Sequence, residues 1–356
     1  MTNHIKNARV IGAGLIGTSI ALALKKKMIA VEVLDLDPNA QSLAQDLIGG
    51  SVISDPDVII ICASISANKG LIIEALNRNP RSIVIDVSSV KSNLLLDIKE
   101  LSDNAHNFVA SHPMAGREVS GAQSARSDLF VGRAWIGIES KLSSTHAKEV
   151  LKELVALCEA SLYWLSSEDH DQTVAAISHM PQLVSTALAH SLQESDAEVF
   201  NLSGQGLRDV LRLAGSNPKL WSELLISNKD SLNKYLSNFI ESVQMIKESI
   251  ESNDERELSK IFGVGNKVFS EIPGKHGGKK RDYLLLPIVI EDKPGQLAKI
   301  FDECAAAGVN IEDLSIEHSP GQLTGLITLA VNEFDAQPLS NHLRSNGWNV
   351  HPIISR

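Results

Sequence analysis

A short apolar run, Ala8 to Ile11, leads directly into Gly12-Ala13-Gly14-Leu15-Ile16-Gly17, and a helix-forming stretch from Thr18 to Lys27 follows. Taken alone, G-x-G-x-x-G is a glycine-rich turn; between a strand and a helix it is the fingerprint of a dinucleotide site. Gly12 permits the tight turn, Gly14 lets the backbone approach a pyrophosphate, and Gly17 allows the helix to pack closely on the strand. The peptide N–H groups that open the helix, on Leu15 and Ile16, are then available to the phosphates. The next strand, Val31 to Leu34, ends at Asp35, about 20 residues after the fingerprint. A carboxylate there accepts hydrogen bonds from the adenosine ribose and repels a 2′-phosphate, so NAD is the expected cofactor rather than NADP.

Further strands are predicted at Val58 to Cys62, Ile83 to Val87, Phe108 to Ala110 and Ala134 to Ile138. Their apolar runs lack polar alternation, which suits a parallel sheet covered by helices on both faces. This predicts a Rossmann dinucleotide-binding domain over residues 1–166. Ser111-His112-Pro113-Met114-Ala115-Gly116-Arg117-Glu118 falls where that sheet closes. A histidine there suits the proton released when hydride leaves an alcohol, because its pKa lies near neutrality. Asp86-Val87-Ser88-Ser89-Val90-Lys91 ends another strand, at the edge where doubly wound sheets bind ligands. Ser88 or Ser89 is expected to cap the helix that runs through Leu94 to Leu101. The functional reading is that one of these serines also orients His112.

Residues 167–272 are helical in period and form a second, all-helical domain. Val174 to Leu192 reads as one long apolar helix containing His179 and Pro181, the proline being a point of kinking. His179 is either a satisfied core residue or part of a site. Arg212, in Arg208-Asp209-Val210-Leu211-Arg212-Leu213-Ala214, has the planar fork that clamps a carboxylate, and it equally suits a surface ion pair with Asp209. Trp221 follows at the next helix start. Residues 273–282 are rich in Gly and basic side chains and read as a linker. Beyond it, residues 283–356 give the order β-α-β-β-α-β of a ferredoxin-like domain. The strands are expected at Tyr283 to Ile290, Asn310 to His318, Gly325 to Asn332 and Val350 to Ile354, and the helices at Gly295 to Gly308 and Leu339 to Asn346. Asp292-Lys293-Pro294-Gly295-Gln296-Leu297 enters the first helix. It is either an ordinary capped turn or one whose N–H groups bind a ligand's carboxylate.

A chain of 356 residues is too long for one core, which rarely grows beyond about 250–300 residues. A formal charge of −10 gives no electrostatic reason to expect a nucleic acid or an anionic membrane as partner, so an anionic substrate has to be drawn by local arginines. Cys62, Cys158 and Cys304 are few, odd in number and far apart, as in a reducing compartment. Met1 to Arg9 lacks the apolar core of a signal peptide, and no apolar run approaches the length of a membrane span. A cytoplasmic protein is expected, without a metal site.

In order and spacing these residues resemble the prephenate dehydrogenase family with a C-terminal ACT regulatory domain. The resemblance covers nearly the whole chain. It rests on the Gly12–Gly17 fingerprint, Val87-Ser88-Ser89-Val90-Lys91, Ser111-His112-Pro113-Met114-Ala115-Gly116 and Ile177-Ser178-His179-Met180-Pro181. It continues through Gly206 to Ala214, Pro218-x-x-Trp221 and Asp292 to Leu297. The family converts prephenate and NAD to 4-hydroxyphenylpyruvate, carbon dioxide and NADH on the route to tyrosine; arogenate dehydrogenase is the close alternative. The resemblance implies that His112 takes the hydroxyl proton, that Ser89 holds its imidazole beside the nicotinamide, and that Arg212 clamps a substrate carboxylate. His179 and Trp221 would line the pocket, with His179 hydrogen-bonding the substrate. It also implies a homodimer built on the helical domain and feedback by tyrosine bound near Asp292, Pro294, Gly295, Gln296 and Leu297. The chain departs from the commoner pattern at Gln182, Ser64 and Leu211. A regulator that has lost catalysis is the alternative from another class, and the intact Ser89 and His112 speak against it.

Overall fold

The computed structural model describes residues 4–116, 121–272, 283–318 and 324–355. The chain divides into two units, Met1–Val243 and Gln244–Arg356. The expected linker, 273–282, lies outside the described residues, as do Arg117 and Glu118.

The first unit is built on β1 (Asn7–Ile11), α1 (Leu15–Lys26), β2 (Ala30–Leu34), α2 (Pro38–Ile48), β3 (Val58–Ile61) and α3 (Ile65–Arg78). It continues with β4 (Ile83–Asp86), α4 (Ser92–Leu101), β5 (Phe108–Pro113), β6 (Ala134–Ile138), α5 (Thr145–Leu157) and β7 (Ser161–Leu165). The seven strands lie in the order β2-β1-β3-β4-β5-β6-β7. The order reverses between β1 and β3, and it is at such a switch point, outside the carboxyl ends of the strands, that doubly wound sheets bind their ligands. Apolar side chains fill both faces. Val10, Val33, Ile60 and Ile85 pack on one side, and Ile59, Ile61, Val84 and Phe108 on the other.

The sheet departs from the parallel arrangement expected. β6 runs antiparallel to β5, pairing Ser111 with Gly137 and Pro113 with Trp135, and β7 is parallel to β6. A parallel return needs a crossover, usually a helix. Between β5 and β6 the described residues hold only one short 3₁₀ turn, Ala122–Ser124. β7 itself was not foreseen. Its pattern is half exposed, so it carries no continuous apolar run.

Helices follow: α6 (Ser167–Val174), α7 (Met180–Ser191), α8 (Ala197–Asn201), α9 (Gln205–Leu211), α10 (Pro218–Ser227), α11 (Lys229–Glu251) and α12 (Glu255–Glu271). The single long helix expected over 174–192 is interrupted by a π-helical turn, Ala175–His179, just ahead of Pro181. Proline has no N–H to donate and its ring crowds the carbonyl four residues back; a widened turn relieves both.

The second unit carries β8 (Tyr283–Glu291), α13 (Gln296–Ala306), β9 (Asp313–His318), β10 (Thr324–Asn332), α14 (Glu333–Ser345), β11 (Asn349–Val350) and β12 (Ile354–Ser355). β10 pairs antiparallel with both β8 and β9 over a core of Leu286, Ile288, Ile327, Leu329 and Leu339. Two boundaries differ from expectation. α14 begins six residues early, capped by the Asn332 side chain, which accepts from Phe334 N–H at 3.1 Å, and Pro338 sits inside it. The final strand is split into β11 and β12, both on β8. Pro352 lies between them and has no N–H for the ladder.

Candidate functional site

The dinucleotide turn has the form its glycines require. Gly12 sits at φ 114°, and a Cβ there would lie 2.3 Å from the Cys62 carbonyl oxygen. At Gly17 a Cβ would lie 1.9 Å from the Gly12 oxygen. A Cβ at Gly14 would meet nothing within 4 Å. The turn is therefore closed behind and open in front, which is the shape a pyrophosphate needs. Gly14 is the N-cap of α1 and supplies no capping side chain, so it does not occupy the N–H groups that open the helix, on Leu15 and Ile16. Asp35 accepts from Ala13 N–H at 2.6 Å and Asp37 N–H at 2.8 Å. Its carboxylate thus braces the turn, and an ionised carboxylate keeps lone pairs for a ribose hydroxyl as well.

His112 lies near the carboxyl end of β5, half-buried, with Nδ1 3.0 Å from His170 Nε2. His170 Nδ1 in turn lies 2.8 Å from Asp171 Oδ1. Both partners belong to α6 and were missed in the sequence; the adjacent His-Asp pair in one helical turn was the available signal. Ser89, expected to orient His112, is half-buried in the loop after β4 and is not the partner at Nδ1. Nor do the serines cap α4, whose N-cap is Lys91. The Ser88 hydroxyl is turned to Asp86 instead, donating to Oδ2 at 2.5 Å.

That carboxylate anchors the floor of the site. Lys91 Nζ lies 2.6 Å from Asp86 Oδ2, and both side chains are wholly buried. The Asp86 carbonyl accepts from Ser111 Oγ at 2.9 Å, and Ser111 Oγ accepts from Trp135 Nε1 at 3.0 Å, which fixes β5 one residue before His112. The Lys91 N–H donates to both oxygens of Asp171, at 3.0 and 3.3 Å, and so joins the β4 loop to α6.

His179, at the end of the π-turn, is 1% exposed. Asn228 Nδ2 donates to the Asp171 carbonyl at 2.9 Å and lies 3.1 Å from His179 Nδ1. The first contact identifies the amide nitrogen, so His179 Nδ1 is an acceptor and its proton is on Nε2. Trp221 stands edge-on to it, ring centroids 6.2 Å apart. Arg212 opens a 3₁₀ turn, Arg212–Gly215, and is exposed. The turn is tied to α7 by Gln182 Nε2, which donates to Leu213 O at 2.8 Å, and by Ser185 Oγ, which accepts from Ala214 N–H at 3.0 Å. Gln182, a departure from the family pattern, therefore holds the Arg212 turn in place.

All three histidines have pKa values below the ordinary 6.5, desolvation by burial being the first cause in each. For His112 the charges of His170, Lys91 and His179 push the same way. His179 is lowered to about 4. The unfolded chain takes up these protons near 6.5, the folded one only below it, so stability is full above 6.5 and is lost as pH falls towards 4. We expect the calorimetric melting midpoint to fall steadily over that window, with a shallower slope in His179→Gln. A midpoint flat across the window would show that the folded histidines are not held neutral.

In the second unit, Gly295 adopts a left-handed conformation (φ 87°) at the N-cap of α13. A groove of about 630 Å³ lies beside it, lined by Ile290, Glu291, Gln296, Lys299, Glu303 and Trp348 among others. Of the five residues expected to hold a regulator, only Gln296 lines this groove.

Among the described residues no helix is long and apolar enough to cross a membrane. A family model for the prephenate dehydrogenase nucleotide-binding domain matches residues 20–164, one for the dimerization domain of that enzyme matches 166–264, and an ACT domain model matches 284–344. A probable prephenate dehydrogenase of Streptomyces niveus is 28% identical, covering 97% of this chain and 99% of its own. A crystal structure of prephenate dehydrogenase from Aquifex aeolicus is 25% identical with a TM-score of 0.69, over 75% of this chain and 100% of that one. Synechocystis arogenate dehydrogenase is also 25% identical, with a TM-score of 0.63, over 74% and 99%. The agreement runs domain by domain in the order that the fingerprint, the His112 strand and the terminal βαββαβ unit had implied. The chain belongs to the prephenate dehydrogenase family of NAD-dependent oxidoreductases and carries an ACT domain at its C-terminal end.

Proposed function

We propose that the protein oxidises prephenate to 4-hydroxyphenylpyruvate, with His112 as the proton acceptor. The observation that carries this reading is a neutral, half-buried histidine at the carboxyl end of β5, in the same sheet whose first strand ends in a turn shaped for a dinucleotide. Bound NAD supplies the hydride acceptor. The chain's own groups have three tasks: to hold the carbinol hydrogen towards the nicotinamide, to take the hydroxyl proton, and to grip two carboxylates. His112 stays unprotonated at neutral pH and is ready as a base. His179, with its proton on Nε2, offers the substrate a donor, and Trp221 forms a wall beside it. Arg212 is the carboxylate clamp in this reading, and Ser89 is assigned to holding the imidazole beside the nicotinamide. As the ring carboxylate leaves as carbon dioxide, its bonding pair completes the aromatic ring. The phenol oxygen ends with a proton, so His112 needs only to hold that proton and return it.

A homodimer is supported by the dimerization-domain match and by exposed apolar side chains on the helical segments, among them Leu202, Ile226 and Phe262. Cys62, Cys158 and Cys304 are all unpaired, consistent with work in the cytoplasm. Tyrosine, as end product, is the proposed ligand of the ACT domain, near Asp292 to Leu297.

Spectrophotometric NADH or NADPH formation tests this reading, with prephenate and arogenate each offered alongside NAD and NADP. Prephenate with NAD is expected to be the fast pair, and added tyrosine to slow it. Turnover of arogenate alone would move the enzyme to the alternative substrate. No turnover with any pair would end the reading, and an unchanged rate with no tyrosine binding would remove the regulatory part.

A further inference from the structure

His170 and Asp171 are 0 and 1% exposed, so the placement of protons between them is decided by the protein and not by water. A carboxylate only accepts, so the proton of the 2.8 Å contact with Asp171 belongs to His170 Nδ1. A neutral imidazole carries one proton, which leaves His170 Nε2 an acceptor. His112 Nδ1, 3.0 Å away, must then donate to it, and the lone pair of His112 is left on Nε2.

We propose that Asp171 and His170 are positioning residues that lock His112 in its Nδ1–H tautomer, so that Nε2 is the atom that takes the substrate's hydroxyl proton. This rests on His112 being the proton acceptor. The opposite tautomer would present an N–H to the hydroxyl and have no lone pair to receive its proton. The carboxylate also steadies the imidazolium that forms in the reaction, acting through the intervening ring and without a direct ion pair. Such a carboxylate behind a catalytic imidazole sets tautomer and orientation without itself taking the proton.

The construction of the site supports this role. Asp171 is held from two sides: Lys91 N–H donates to both carboxylate oxygens, and its own carbonyl fixes Asn228, which sets the proton of His179 on Nε2. One residue of α6 thereby gives two histidines opposite polarities, His112 accepting and His179 donating. A hydroxyl and a carboxylate or carbonyl of one substrate need just such a pair.

The test compares two variants of His170 with the wild type. His170→Leu removes the acceptor and is expected to lower kcat by about 10²–10⁴-fold, with KM for prephenate and NAD little changed. His170→Gln places an amide oxygen near the former Nε2 and should recover most of that loss. Nitrogen-15 NMR of labelled histidine should show His112 of the wild type protonated on Nδ1, and a tautomer mixture in His170→Leu. Near-normal kcat in His170→Leu, a folded His170→Gln as inactive as the leucine variant, or a wild-type His112 protonated on Nε2 would each overturn the proposal. Undiminished turnover in His112→Asn would instead defeat the acceptor role and the proposal with it. The tautomer signal, which does not depend on turnover, then tells the two failures apart.

Discussion

Replacing His112 by asparagine is expected to lower kcat by about 10²–10⁴-fold, the usual contribution of a general base, while NAD binding stays intact. Asparagine is the informative choice because its amide sits where Nδ1 stood. It is able to keep the contact with His170 that the imidazole makes at 3.0 Å, and it removes only the outer nitrogen. The dinucleotide turn, held by Gly12, Gly17 and the Asp35 contact with Ala13 N–H, lies on other strands and is untouched. The decisive readout is therefore a split: kcat falls, and NAD affinity measured by fluorescence quenching does not. In the wild type, kcat/KM should hold constant down through pH 6.5, because the pKa of His112 is pushed well below that value, and decline only below it. Near-normal turnover in the variant would exclude His112 as the base. Equal losses of turnover and NAD binding would mean that the strand itself had been displaced.

How much of this was legible in the sequence follows from the range of each interaction. The dinucleotide turn is local: three glycines, a strand and a helix within about 20 residues carry the whole signal. His112 was found because it follows that turn in an order a nicotinamide enzyme requires. Its true partner was not found, because His170 lies 58 residues away and only folding brings them together. Ser88 and Ser89 were read as helix caps from their type and position. The wholly buried Asp86–Lys91 pair draws the Ser88 hydroxyl inwards, and no rule of local propensity contains that term. The antiparallel β6 was in principle readable, since the described residues between β5 and β6 hold no crossover helix. β7 was not, because Ser161–Leu165 is a half-exposed edge without an apolar run. His179 stood between core and site on sequence grounds. Its acceptor contact with Asn228 and its edge-on Trp221 show a buried polar residue whose remaining N–H is oriented, which favours the site.

Lys91→Met is expected to be the most destabilising single change in the site that leaves the histidines themselves intact. The Lys91 ammonium is 2.6 Å from Asp86 Oδ2 and 3.1 Å from Ser88 Oγ, with neither charged side chain exposed to water. Burial pushes the ammonium below its ordinary pKa and Asp86 pulls it back, so the pair exists only because its members face each other. Asp86 Oδ1 already has no hydrogen-bond partner among the described residues. Removing the lysine leaves a buried carboxylate with only neutral donors, the Asn68 amide and the Ser88 N–H and hydroxyl, and no counter-charge. Breaking a buried pair from one side costs roughly 3–5 kcal/mol. In a unit of this size that lowers the melting midpoint by about 10 °C. Adding Asp86→Asn should return most of the loss, because replacing both charges removes the desolvation cost along with the attraction. Lys91→Met has a second readout, independent of stability. Lys91 is one of the charges that lower the His112 pKa, so its loss should move the acid limb of kcat/KM upwards. The main-chain N–H of residue 91 still holds Asp171, and the tautomer of His112 is therefore preserved. A single variant melting with the wild type would mean that water reaches Asp86. A double variant as unstable as the single one would mean that Lys91 acts by packing and not by charge. An unmoved acid limb would show that the ion pair serves the fold alone, and that the neutrality of His112 is owed to burial and its histidine neighbours.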